Sequence, residues 1–93
     1  MNKTHEEIGM IVRDYRVKSK MTQMDLAQKL GYDSPQFVSL FERGLSKVPF
    51  ETLGQLVVIL GIPEKKIMKN IVSAYEKEIN KRVEIGKKSA LKA

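Results

Sequence analysis

The side chains able to do chemistry in this 93-residue chain are few, and their types and spacing suit recognition better than catalysis. His5 is the single histidine, and it reads as a solvated residue near the start of the chain rather than as a base or a ligand. No carboxylate pair, glycine-rich phosphate loop or histidine cluster occurs in an interpretable arrangement. Cysteine is absent, which removes disulfides, thiolate chemistry and most zinc sites together. The chain therefore reads as a non-enzyme with no cofactor and no metal. What remains is a polar row, Gln36, Ser39 and Arg43, with Leu40 beside it. On one helix these residues stand at the three- and four-residue intervals that share a face. An amide, a hydroxyl and a guanidinium in line form a hydrogen-bonding edge.

The elements that must carry this row are legible from caps and apolar periods. Thr4 is a candidate cap for a first helix, with Glu6 and Glu7 in its first turn and Ile8, Ile11, Val12 and Tyr15 on one face. Thr22 opens a second helix over residues 23–30, buried through Leu26, Ala27 and Leu30, and Gly31 ends it. Ser34 as cap and Pro35 as first helical residue start a third helix that runs to Arg43 and stops at Gly44. Val38 and Phe41 are its inward positions, which turns Gln36, Ser39, Leu40 and Arg43 outward. A fourth helix over residues 50–60 buries Leu53, Leu56, Val57 and Leu60, and Gly61 closes it. Pro63 starts a fifth, whose Ile67, Met68, Ile71 and Val72 are expected to close the core. Met10, Met21, Met24 and Met68 read as core or near-core filler. No segment alternates as a strand would, so the class is all-α: a compact five-helix domain with an extended C-terminal helix.

Composition sets the outer limits. Hydrophobic residues are 42% and charged residues 30%, a globular balance. The longest apolar run, residues 56–60, is far below the roughly 20 residues that cross a bilayer. The first seven residues are polar, unlike a secretory leader, and with the missing cysteines this makes the cytoplasm the expected compartment. The formal charge is +6, of which +2 falls in residues 1–76 and +4 in residues 77–93. A basic excess permits a polyanionic partner without requiring one.

The run MTQMDLAQKLGYDSPQFVSLFERG resembles the helix-turn-helix of the Cro and lambda-repressor type, the xenobiotic-response-element family. VRDYR upstream and PFETLGQLVVILGI downstream are similar to that family's first and fourth helices, so the resemblance covers about residues 8–62. The turn GYDSPQ is one residue longer than the family's commonest form. The resemblance implies a lambda-repressor-like fold that lays its third helix in the major groove of double-stranded DNA. It implies that Gln36 reads a base, since a glutamine amide can meet adenine N6 and N7 together. Pro35 and Leu40 match the other base-facing positions and offer only apolar contact, although an exposed leucine is also ordinary surface. Gln23 would hold a phosphate through its side chain and helix-end amides, or be a plain surface glutamine. Ser34, Ser39, Arg43 and Lys47 fit phosphate contacts, as does the backbone amide of Phe50. Arg16 and Glu42 match positions that form an ion pair between the first and third helices.

Residues 1–62 are thus expected to be the DNA-binding domain, and residues 87–93 a basic flexible tail. Residues 63–86 form a helix whose Tyr75, Ile79 and Val83 extend past anything the domain can cover. This stripe reads as a homodimer interface, or as one side of a loose solvated helix. The first function implied is a sequence-specific transcriptional regulator, a repressor on a paired operator. The alternative is a protein-interaction module, an antitoxin or adaptor whose C-terminal helix captures a protein partner.

Overall fold

A computed structural model describes residues 3–92 and contains, among them, five α-helices and no strand. These are α1 (Lys3–Lys18), α2 (Gln23–Lys29), α3 (Gln36–Glu42), α4 (Phe50–Leu60) and α5 (Glu64–Lys92). Ile8, Ile11 and Val12 of α1 meet Leu26 and Ala27 of α2, Val38 and Phe41 of α3, and Leu53, Leu56 and Leu60 of α4 in a single core. Ile62, in the connection after α4, and Ile67 of α5 close it. Leu26, Ala27 and Val38 have no exposed surface, so α2 and α3 cross where Ala27 leaves room.

Local chemistry sets the helix starts. Thr22 and Asp25 form a reciprocal capping box: the Asp25 amide donates to Thr22 Oγ1 and the Thr22 amide to Asp25 Oδ2, each at 2.9 Å. The Thr22 amide, more than its hydroxyl, holds the Asp25 carboxyl below its ordinary range. A carboxyl depressed in this way contributes stability at neutral pH that is lost as pH falls through its folded-state value. At α3 the expectation needs correction. Ser34 lies in a bend and does not cap; Pro35 stands at the cap position (φ −77°, ψ 0°) with no side-chain cap bond. The Pro35 carbonyl accepts the first helical bond from the Ser39 amide at 3.0 Å, so the helix begins at Gln36. Thr4 likewise lies inside α1 instead of capping it.

Two glycines set how close α1 lies to α3. A Cβ on Gly9 would fall 2.7 Å from the Glu42 carbonyl oxygen and nearer still to that of Phe41. Gly44, at φ +69°, follows α3 and would bring a Cβ within 2.7 Å of the Glu6 backbone. Backbone packs on backbone here, and a side chain at either site has no space.

The C-terminal helix departs from expectation in two ways. Only Ile67 is fully buried and Ile71 packs partly, whereas Met68 and Val72 are about half exposed, and Met10 on α1 is mostly exposed. Helix α5 also continues without a break past Gly86 to Lys92, where a flexible tail was expected; Ala93 lies outside the described residues. Lysines 87, 88 and 92 are good helix formers and their charge suits the negative helix end. At 1.5 Å per residue the 29-residue helix is about 43 Å long. It accounts for the elongated 56 × 24 × 18 Å shape.

Gly9→Ala is expected to destabilise the fold by about 1–3 kcal/mol or more, as overpacking does. Urea denaturation followed by circular dichroism reads this directly, and unchanged stability would mean that α1 and α3 are not in backbone contact.

Candidate nucleic-acid interface

The interface is organised from inside by one ion pair. Arg16 on α1 donates through Nε to Glu42 Oε2 at 2.6 Å and through its terminal nitrogen to Oε1 at 3.0 Å. The side chains are 12% and 3% exposed, so the pair is held out of water. The third guanidinium nitrogen donates to the Met21 carbonyl at 2.8 Å, tying in the turn before α2. Gln23 Nε2 completes the set, donating to Glu42 Oε1 at 3.1 Å. The bond to Glu42, ahead of the opposing cost of burial, raises the Arg16 pKa, so the charge is permanent. A single carboxylate therefore locks α1, the start of α2 and α3 together.

With Glu42, Val38 and Phe41 turned inward, α3 presents the opposite side outward. Gln36 and Arg43 are exposed, and Ser39 and Leu40 half-buried. Pro35 and Ser34 are exposed at the N-terminal end, at the tip of the turn that Gly31 makes with φ +88°. The Arg43 guanidinium rests near the Ser39 carbonyl at 3.4 Å, a weak contact that leaves its other donors open. Beyond Gly44 the chain carries Lys47 and Phe50 to the same region, both exposed, with the ammonium 4.8 Å from the ring centre. Gln23 is half-buried with one amide N–H committed to Glu42, which leaves the second free to face outward.

Sequence reasoning missed two residues here. Phe37, 48% exposed, stacks on Tyr32 at 4.9 Å between ring centres and lies 6.4 Å from Phe41. This aromatic ladder stiffens the turn and puts an apolar ring beside Gln36. Its signal was available: Phe37 is one residue from Val38, off the inward face, and so unexplained by the core. Leu45, 52% exposed just past Gly44, had no such signal.

A model of the helix-turn-helix family matches residues 12–67, well over half of the chain. No curated protein matches the sequence. Among solved structures, the clp gene regulator ClgR from Corynebacterium glutamicum is similar at a TM-score of 0.65 and 22% identity, over 91% of this chain and 95% of that one. A second structure of ClgR gives a TM-score of 0.64 and 24% identity over 80% and 95%. At these identities the likeness establishes the shared fold.

Arg16→Ala strands a buried carboxylate and is expected to cost about 3–5 kcal/mol of stability. Calorimetry tests it, with Glu42→Gln added to the same chain expected to recover part of the loss. Unchanged melting together with weakened DNA affinity would move Arg16 from a structural to a contact role.

Proposed function

This chain belongs to the helix-turn-helix family, and from that premise we propose that it is a sequence-specific, DNA-binding transcriptional regulator that acts as a homodimeric repressor. One observation carries the reading: on the outer row of α3 Gln36 and Arg43 are open to solvent and Ser39 and Leu40 partly so, while the inner row is locked to α1 and α2. A helix whose outer side chains stand clear can enter the major groove without rearranging its core.

Within this reading Gln36 recognises a base pair, its amide able to donate and accept on one adenine edge. Pro35 and Leu40 supply apolar contact on either side of it. Arg43 and Lys47 take phosphates, and Ser34, Ser39, Gln23 and the Phe50 amide add neutral donors along the backbone. Gln23 joins phosphate contact to fold stability, since the carboxylate that pairs with Arg16 also fixes the direction of its amide. Repression follows from occupancy, because a bound domain of this size obstructs a promoter.

The dimer reading rests on α5. Met68, Val72, Tyr75, Ile79 and Val83 are each about half exposed and recur at intervals of three and four. By the helical period they form one stripe about 23 Å long, adjacent to the face that carries Ile67 and Ile71. A stripe of this kind is stable in water when a partner covers it, and a second copy carries the same stripe. Two copies would set two α3 helices about 34–36 Å apart, one turn of duplex.

Gln36→Ala is expected to cost about 1–3 kcal/mol on the preferred site and to relax preference at one base pair. Lys47→Ala weakens all duplexes alike and lowers the salt slope by about one. Anisotropy titrations over a range of salt separate the two, and identical behaviour of both variants contradicts the division. A chain working only as an adaptor through α5 would show no salt-dependent binding to duplex at all.

Light scattering at micromolar concentration tests the pairing. Ile79→Asp should halve the mass of the particle, and an unaltered mass rules out this stripe as the interface.

A further inference from the structure

A groove unrelated to the outer face of α3 opens where the first half of α1, the segment 46–50 and the middle of α5 meet. Its volume is about 610 Å³, within the range of small-molecule sites, about 300–1,000 Å³. Ile8, Val48, Leu53, Ile71 and Ala74 are its aliphatic lining. Phe50 and Tyr75, both about half exposed, add two aromatic rings to the lining. Cations dominate its charged residues: Lys3, Lys47, Lys77 and Lys81. Of its two carboxylates, Glu78 is already paired with Arg82 at 2.7 Å, which leaves Glu7. An apolar floor under lysines is complementary to a molecule with an apolar body and an acidic end.

The other obvious occupant, the free end of α5 from a second copy, is disfavoured by charge. Residues 79–92 carry Lys81, Arg82, Lys87, Lys88 and Lys92 against Glu84 alone. Seating that segment among four lysines sets like charges together in a partly desolvated site.

We infer that this groove binds a small amphiphilic anion, a carboxylate on an apolar chain or ring system, and that the bound anion opposes DNA binding. The second clause rests on the regulatory reading. Lys47 and Phe50 line the groove and are also two of the phosphate contacts proposed above. A carboxylate shared by Lys47 and Lys81 withdraws the first of them from DNA and adds a negative charge next to the backbone.

Titration of the isotopically labelled full chain with submicellar decanoate, followed by NMR, tests the site, with decanol as the neutral match. Saturable shifts are expected at Ile8, Val48, Leu53 and Ile71, with decanol about tenfold weaker for want of a charge-assisted contact. Ala74→Phe, which places a ring into the groove, should abolish binding of both probes. Lys81→Glu, an exposed change that the fold tolerates, should bring decanoate down to the affinity of decanol. Equal affinity for the two probes, shifts that never saturate, or binding only of an acidic amphipathic peptide would overturn the proposal. In a separate arm, decanoate should raise the protein concentration that half-saturates a duplex, and by much less in Lys81→Glu. Probe binding without that competition overturns the regulatory clause and leaves the site standing. Absence of any duplex binding indicts the function proposed above instead.

Discussion

The carboxylate of Glu42 sits at the end of α3 with almost no exposure, and four hydrogen bonds decide where that helix lies. Two come from Arg16 and one from Gln23 to the carboxylate, and in the fourth Arg16 donates to the Met21 carbonyl. A buried carboxylate is costly unless fully paired, so the arrangement tolerates little slack. Its consequence is directional. Fixing Glu42 inward fixes Gln36, Ser39, Leu40 and Arg43 outward, because a helix offers no independent choice of the two faces. The glycines at 9 and 44 let α1 approach closely enough for Arg16 to make its reach.

Stability and the proposed recognition therefore meet in one network without sharing all its members. Arg16 belongs to the interior and Gln36 to the surface, with Gln23 between them. One of its amide protons goes to the network, and the other is left for the phosphate contact proposed above. The turn between α2 and α3 is stiffened separately, by Gly31 and by the Tyr32–Phe37 stack. Pre-set side chains lose less freedom on binding than mobile ones, which favours a rigid recognition helix.

Much of this was legible in the chain. The fourth helix is present over the predicted span, because Phe50 follows a proline and Gly61 takes a left-handed cap at φ +67°. Arg16 and Glu42 were paired correctly from family resemblance, not from any property of spacing 26 residues apart. What failed, failed for physical reasons. Ser34 and Pro35 carry the start signal of a helix, yet the longer turn leaves the proline carbonyl as first acceptor and shifts the start to Gln36. Periodicity tells which residues share a face but not which part of the face is covered, so Met68 and Val72 were placed in the core that Ile67 and Ile71 occupy. Gly9 reads by propensity as a flaw in a helix, and only the approach of a second backbone explains it. The stretch after Gly86 lacks an apolar period, but a helix already nucleated continues at little cost through lysine and alanine.

In the function proposed above, the open side of α3 reads DNA as one of two symmetric copies. Selection of bound sequences from a random duplex pool addresses it most directly. The expected result is enrichment of an inverted pair of short half-sites whose centres lie about 10 base pairs apart. A pool that stays random after repeated rounds, or yields sites with no symmetry and no fixed spacing, would contradict it.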